Sequence, residues 1–217
     1  MPFDLPPVTR NLLIANVAVF LLQQVMGDTL LVHFALWPWG ADQVAQAGDG
    51  SIVSIGFRVW QVVTYAFMHG GWTHLLFNMF ALYMFGGQIE RLFGPRNFIL
   101  YYFVCLVVAA LAQLAVVQWF TGGFYPTLGA SGAIFGLLLA FGMMYPHEKV
   151  MLMFLPIPMP AWLFVTGYAL VELVMGVTGT QAGVAHFAHL GGMLGGLILI
   201  QYWRGKLPIK PQRRLLR

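Results

Sequence analysis

The sequence predicts an all-α membrane protein with six transmembrane helices and both termini in the cytoplasm. Composition is the first reason, because 59% of the 217 residues are apolar and only 8% are charged, with a mean hydropathy of +0.77. Soluble domains carry roughly 25% charged residues. A soluble enzyme, a disordered chain and a nucleic-acid-binding domain are therefore excluded. The uncharged runs and the placement of Lys and Arg are the other two reasons.

Six apolar runs, uncharged except for Glu172 in the fifth, are candidate spans, since a helix needs about 20 mostly apolar residues to cross a bilayer. They lie at 11–27, 73–89, 97–119, 131–145, 160–176 and 185–203. The second run begins after the His-Gly-Gly turn at 69–71, and prolines at 156, 158 and 160 delay the start of the fifth.

The positive charges fall on one side of the predicted membrane. With a cytoplasmic N-terminus, every Lys and Arg except Arg58 lies in a cytoplasmic segment, as the positive-inside rule requires. We expect one domain over 1–217, with its core at 58–203 and a basic cytoplasmic tail at 204–217. The tail indicates a membrane surface and not a nucleic-acid partner. The first run is expected to be a retained anchor and not a cleaved signal peptide.

The fourth run is short for a span. Its 15 residues would extend about 22 Å at 1.5 Å per residue, against a hydrocarbon core of about 30 Å. The segment 127–130 before it would then lie below the outer surface. Non-helical backbone at that depth must be buried in protein or line a water-filled cavity, so we expect a water-accessible polar cavity there.

Polar side chains gather at the outer ends of three predicted spans. Ser131 begins the fourth, His186 and His189 begin the sixth, and His74 and Asn78 begin the second. Polar groups in a membrane are costly, so their default interpretation is functional.

Small residues indicate that the fourth and sixth spans pack closely. Each span has small side chains four residues apart, a spacing that lets two helix backbones approach. They are Gly132, Gly136 and Ala140 in the fourth, and Ala188, Gly192 and Gly196 in the sixth. Such packing would bring Ser131 within hydrogen-bond reach of His189, the minimum for a serine nucleophile with a histidine base.

The remaining polar residues suggest supporting roles. His74 and Asn78 share a helix face, and both can donate hydrogen bonds to a developing oxyanion, as can the Ser131 backbone N–H. His186 is an alternative base, although His189 lies deeper. Glu172 is far along the fifth span, so no third catalytic member is evident and a Ser131–His189 dyad is expected.

Four motifs resemble those of rhomboid intramembrane serine proteases. The GASG sequence at 129–132 resembles the Gly-x-Ser-x motif, and AHLGGMLGG at 188–196 resembles Ala-His-x-x-Gly-x-x-x-Gly. HLLFN at 74–78 is similar to His-x-x-x-Asn, and GQIE at 87–90 looks like the Gly and Glu that follow it. The match covers about 58–203.

The resemblance implies hydrolysis of peptide bonds in or near transmembrane segments of membrane proteins. Ser131 would be the nucleophile and His189 the general base, with His74 and Asn78 at the oxyanion. It implies no cofactor, a bilayer environment and, by analogy, a bacterial inner membrane. Phe135 stands where an aromatic residue stacks on the catalytic histidine, and Gln61 replaces the arginine of a common Trp-Arg pair in the first loop.

Three other functions remain open at this point. One is a catalytically silent rhomboid-like protein that binds membrane clients, although such relatives usually lack the serine or the histidine. Another is a small transporter or channel, which the lack of an inverted repeat disfavours. The third is a haem protein that uses histidine pairs. A zinc protease motif is absent from the sequence, and every Asp lies in a tail or outer loop, which disfavours an aspartyl protease.

Overall fold

A computed structural model describes residues 5–46, 50, 52–152, 155–180, 185–211 and 215. Most of the arginines of the predicted basic tail lie outside the described residues. The helices are α1 (Pro7–Met26), α2 (Asp28–Phe34), α3 (Gln61–Thr64), α4 (Trp72–Ala81), α5 (Gly87–Phe93), α6 (Pro95–Val116), α7 (Ser131–Met144), α8 (Ala161–Thr178) and α9 (His186–Trp203). A 3₁₀ turn covers Tyr65–Phe67, and π-helical turns cover Leu82–Gly86 and Val117–Thr121.

Each of the six predicted spans coincides with a helix or with a continuous helical run. The second span corresponds to α4, the first π-helical turn and α5, which together form one helix over 72–93. Three helices are long and apolar enough to cross a membrane by length and composition: Pro7–Met26, Pro95–Thr121 and Ala161–Thr178. The apolar α7 is shorter, with 14 residues. The count of six spans stays a prediction.

Two short hairpins lie in the long connections, which the all-α prediction did not include. Strands β1 (Gln43–Gln46) and β2 (Ile52–Ile55) are antiparallel, with Gln43 opposite Ile55. Strands β3 (Lys149–Leu152) and β4 (Leu155–Pro160) form a second antiparallel pair. Proline is tolerated in β4 because a two-stranded sheet has only edge strands.

Hydrogen bonds from side chains hold the connection between α2 and α3. Both terminal nitrogens of Arg58 donate hydrogen bonds to the Asp42 carboxylate, and the Ser54 hydroxyl donates to the same carboxylate. These bonds lower the pKa of Asp42 to about 2. Gln61, at the variant position of the first loop, accepts from the backbone N–H groups of Trp37 and Arg58. Its amide nitrogen donates to the carbonyls of residues 33 and 56, so a neutral side chain anchors this loop.

Helix α9 is wedged between α6 and α7 by two adjacent glycine rows. On one side, a Cβ added at Gly191 would lie 2.5 Å from the Ala112 Cβ of α6. On the other side, a Cβ at Gly192 would lie 2.7 Å from the Gly132 carbonyl carbon of α7. The predicted contact between the glycine stripes of α7 and α9 is thus confirmed. Backbone stands against backbone here, which fixes the relative position of the two helices.

Glu90 ties the start of α1 to the end of the 72–93 helix. Its carboxylate accepts the backbone N–H groups of Val8 and Thr9 at 2.9 and 2.7 Å and the Thr9 hydroxyl at 2.8 Å. The first N–H groups of a helix have no partner within the helix. A buried carboxylate therefore completes the N-terminus of α1.

Candidate active site

Ser131 is the first residue of α7 and follows a buried turn. Gly129 in this turn has a φ of +117°, a conformation that favours glycine. Its N–H donates to the Tyr65 carbonyl at 2.9 Å, and Thr127 exchanges two backbone hydrogen bonds with Leu36. The non-helical backbone that was expected inside the membrane is therefore hydrogen-bonded to other parts of the protein. These bonds hold the start of α7, from which the Ser131 hydroxyl projects.

The structure brings Ser131 and His189 together. The Ser131 hydroxyl lies 2.8 Å from His189 Nε2. Phe135, one turn beyond Ser131, stacks on the imidazole with ring centroids 4.2 Å apart and planes at 4°. The backbone contact between α7 and α9 places the hydroxyl, and the stacked ring restricts rotation of the imidazole. His186 does not occupy this position, so the alternative base is not the one beside Ser131.

His74 and Asn78 lie against the turn that precedes Ser131. A Cβ added at Gly129 would lie 2.7 Å from His74 Nε2 and 3.7 Å from Asn78 Nδ2. Gly70 donates its N–H to His74 Nδ1 at 3.3 Å, so Nδ1 is unprotonated and Nε2 carries the hydrogen. Asn78 Nδ2 donates one hydrogen to the His74 carbonyl at 3.1 Å and has a second one available. Two donors are thus directed at the Gly129 turn.

The structure places a carboxylate beside His189, where the sequence predicted none, and the Ser131–His189 dyad stays a prediction. Glu172 in α8 accepts a hydrogen bond from His189 Nδ1 at 2.8 Å, on the ring edge opposite Ser131. In the predicted topology the fifth span runs outward, so a residue in its last two turns reaches the depth of the other site residues. The sequence signal was present, because Glu172 is the one charged residue in the run 160–176 and ionisable groups in spans are functional by default.

His186 contacts the same carboxylate. Its Nδ1 lies 2.7 Å from Glu172 Oε2, and its Nε2 lies 3.1 Å from the Thr180 carbonyl oxygen. Glu172, His186 and His189 are all buried, at 4%, 5% and 8% exposure. The site therefore contains a chain of four side chains that begins at Ser131 and ends at His186.

Within the described parts of the chain, the same three residues form a group of side chains that could bind a metal ion. Their ligand atoms lie within 4.8 Å of one another, and two histidines with a glutamate form a known zinc ligand set. Here, however, both Nδ1 atoms point at one carboxylate oxygen at hydrogen-bond distance. Each of these two nitrogen–oxygen pairs is at the distance of a hydrogen bond. The arrangement therefore suits a hydrogen-bonded network better than a metal site.

The arrangement has the parts that acyl transfer needs. A hydroxyl faces an imidazole nitrogen that is free to accept its proton, and the N–H groups of the first turn of α7 stand beside it. Donors from α4 approach from the other side of the Gly129 turn. The same parts recur in serine hydrolases of unrelated folds.

Comparison with known proteins identifies the family of this chain. The family model described as the Rhomboid domain matches residues 56–205. Rhomboid protein 1, mitochondrial, of Saccharomyces cerevisiae is 32% identical over 71% of this chain and 44% of its own length. Rhomboid protease GlpG of Serratia proteamaculans is 27% identical over 91% of this chain and 62% of its length, and the Klebsiella pneumoniae protein of that name (strain ATCC 700721 / MGH 78578) is 29% identical over 61% and 41%. The chain thus spans between 41% and 62% of the length of these relatives. It belongs to the rhomboid family.

Proposed function

We propose that this protein is an intramembrane serine endopeptidase that cleaves peptide bonds in or near the transmembrane segments of membrane proteins. Ser131 is the nucleophile and His189 the general base. The hydrogen bond of 2.8 Å between Ser131 Oγ and His189 Nε2 is the observation that carries the proposal. Relatives named rhomboid proteases, at 27% and 29% identity, support it.

The proposal includes the topology that exposes this site to substrate. Six helices cross the bilayer, both termini are cytoplasmic, and a polar cavity opens to the outside. The coincidence of helical runs with the predicted spans supports this topology, as does the short α7. A bacterial inner membrane is the location we propose, and matches to proteins from bacteria support it, although mitochondrial proteins also match.

In the first half of the reaction, Ser131 Oγ attacks the carbonyl carbon of the scissile peptide while His189 Nε2 takes the hydroxyl proton. The carbonyl oxygen becomes an oxyanion, which accepts hydrogen bonds from the Ser131 N–H, His74 Nε2–H and Asn78 Nδ2–H. The tetrahedral intermediate collapses, the C–N bond breaks, and His189 gives its proton to the leaving amine.

In the second half, water attacks the acyl-enzyme. His189 accepts a proton from the water and returns it to Ser131 Oγ as the ester bond breaks. The substrate leaves as two peptides, and the enzyme regains its starting protonation state. No step requires a cofactor.

Cleavage of a labelled single-pass membrane protein in liposomes tests the proposal. Ser131→Ala and His189→Ala should each abolish cleavage above background, with losses on the order of 10⁴-fold or more. Asn78→Ala should lower kcat by roughly 10²-fold, as loss of one oxyanion donor does elsewhere. Ser54→Ala and His147→Ala make the same chemical changes outside the site and should leave kcat unchanged. Equal cleavage by wild type and Ser131→Ala would refute the nucleophile.

The second candidate is a catalytically silent rhomboid-like protein that binds membrane clients. The relatives include a protein named only as a mitochondrial rhomboid protein, without the word protease. A fluorophosphonate probe separates the candidates without a substrate, because it labels only an activated serine. Labelling of wild type but not of Ser131→Ala supports the protease, and no labelling favours the silent relative.

A further inference from the structure

We propose that Glu172 and His186 form a buried ion pair that positions His189, so that the reacting pair Ser131 and His189 is the first half of a hydrogen-bonded chain of four side chains. This inference rests on the proposed function, because it concerns how the base beside Ser131 is held. Glu172 and His186 are positioning residues, since they touch neither Ser131 nor the place of the scissile bond.

The hydrogen-bond partners determine where the protons lie. His186 Nε2 faces the Thr180 carbonyl oxygen at 3.1 Å, and a carbonyl only accepts, so Nε2 is protonated. His186 Nδ1 faces Glu172 Oε2 at 2.7 Å. A single proton lies between these two atoms, and the same oxygen also accepts from His189 Nδ1 at 2.8 Å, so an ionised Oε2 that receives two N–H donors fits the geometry. With that proton on Nδ1, both nitrogens of His186 are donors, and the ring is a cation beside an anion.

The same carboxylate determines the tautomer of His189. Its Nδ1 lies 2.8 Å from Glu172 Oε2, so Nδ1 donates and carries the hydrogen of the neutral ring. The lone pair of Nε2 then faces the Ser131 hydroxyl at 2.8 Å. This is the tautomer that a general base needs. The opposite tautomer would direct an N–H at the hydroxyl and leave no acceptor for its proton.

Charge balance explains why a histidine stands behind the carboxylate. An isolated carboxylate buried to 4% exposure would be costly, because an ion loses its hydration there. His186 neutralises the charge of Glu172 in the resting site. When Ser131 attacks, the proton moves to His189 and an oxyanion forms, so the site gains one positive and one negative charge. The site therefore stays neutral in the resting state and in the tetrahedral intermediate.

Matched substitutions test the positioning role. Glu172→Gln keeps the shape and one acceptor but removes the charge, and we expect kcat to fall by at least about ten-fold, toward the ~10⁴-fold loss seen when a triad carboxylate becomes an amide. His186→Gln leaves the carboxylate without its counter-ion, and kcat should fall less. KM should change by less than about two-fold in both, since neither residue contacts substrate. Glu148→Gln and His147→Gln are the matched controls on an exposed loop.

A purely structural contact between α8 and α9 would give a different pattern. Glu172→Gln would lower the melting temperature, but the folded protein would keep the wild-type kcat. That result overturns the proposal. A loss of kcat that Glu172→Asp partly restores supports it, because the shorter carboxylate keeps the charge.

Ring spectra of ¹⁵N-histidine-labelled protein in micelles decide the protonation states without a substrate. In wild type, His186 should show two protonated nitrogens, and His189 should show a protonated Nδ1 and an unprotonated Nε2. His189→Gln and His186→Gln assign the signals. A singly protonated His186, or a His189 with its hydrogen on Nε2, overturns the proposal. Because these spectra require no turnover, they test it even if no substrate is cleaved or if Glu172→Gln does not fold.

Discussion

The backbone contact between α7 and α9 makes Gly192→Ala the most direct test of how the site is held. The added Cβ would lie 2.7 Å from the Gly132 carbonyl carbon, and still closer to its oxygen. Unbonded carbon atoms prefer about 3.5–4.0 Å, and the oxygen is nearer still, so the helices must part locally by at least about 1 Å. Gly132 follows Ser131 directly, and Gly192 is one turn from His189. A shift of about 1 Å would stretch the 2.8 Å contact of Ser131 with His189 beyond hydrogen-bond length.

The expected loss has a thermodynamic part and a catalytic part. Overpacking typically costs about 1–3 kcal/mol, and the better helix propensity of alanine offsets up to about 1 kcal/mol. A net cost of about 1–2 kcal/mol lowers the melting temperature by roughly 2–8 °C for a chain of this size. A catalytic group misplaced by about 1 Å can reduce kcat by about 10²-fold.

Gly167→Ala is the matched control. It makes the same change inside α8, where a Cβ would meet nothing within 4 Å. We expect an unchanged or slightly raised melting temperature and normal kcat. Thermal unfolding in detergent and cleavage in liposomes, measured well below the melting temperature, give both parts. If Gly192→Ala behaves like Gly167→Ala in both assays, α7 and α9 do not touch through their backbones and the reasoning fails.

Polar contacts outside the site carry three further predictions. Glu90→Gln places an amide N–H₂ against the backbone donors of α1 and should cost about 2–3 kcal/mol, seen as a lower melting temperature with unchanged kcat at low temperature. Gln61→Ala unpairs buried backbone groups of the first loop and should cost roughly 1–3 kcal/mol, seen as faster hydrogen exchange at 33–37 and 56–58. The pKa of Asp42 is lowered to about 2 from 3.8. Its contribution to the stability of the hairpin is therefore complete above the pKa of the unfolded chain, 3.8, and is lost as the pH falls from 3.8 toward 2. Hydrogen exchange in β1 and β2 should report this loss.

Controls for these predictions use the same chemical changes at exposed positions. Glu148→Gln, Gln88→Ala and Asp28→Asn should have little effect on the measured quantities. If Glu90→Gln has the melting temperature of the wild type, the hydrogen bonds of Glu90 to the start of α1 contribute nothing to stability. Unchanged exchange in Gln61→Ala would mean that the loop is held by other contacts. Asp42→Asn should remove the acid-dependent part of the β1–β2 exchange, and a wild-type acid response in that variant contradicts the assignment.

Much of the fold was predictable because apolar runs and small-residue stripes report directly on membrane helices. The contact of α7 with α9 and the approach of Ser131 to His189 follow from glycine spacing alone. The stacking of Phe135 on His189 was expected from the resemblance to rhomboid proteases and not from the residues alone. The hairpins were not predicted, because strands of four to six residues are too short for a two-residue period to be distinguished from other structure.

Glu172 shows what the sequence does not determine. Helix α8 is apolar on all sides, so no hydrophobic stripe reveals which face turns toward α9. Depth could be read from the direction of the span, but rotation about the helix axis could not. Only the structure shows that the carboxylate turns toward His189 and His186 and not toward lipid or another helix. The rotation of the helix that carries His74 and Asn78 was uncertain in the same way. Their four-residue spacing at least predicted that both side chains lie on one face.

The site is held in two different ways, and this makes the proposals separable. Ser131 and His189 are held by packed backbones of α7 and α9, whereas Glu172 reaches His189 only through side-chain hydrogen bonds from α8. The buried residues of α8 are Ala161 and Val165 at one end and Glu172 near the other, and its outer half also packs on α9 where Gly176 meets His186 and Phe187. A change in α8 should therefore alter the tautomer of His189 and leave the serine in place, while a change between α7 and α9 should part the serine from the base. Gly192→Ala and Glu172→Gln should both slow cleavage, but only Glu172→Gln should change the ring protonation of His186.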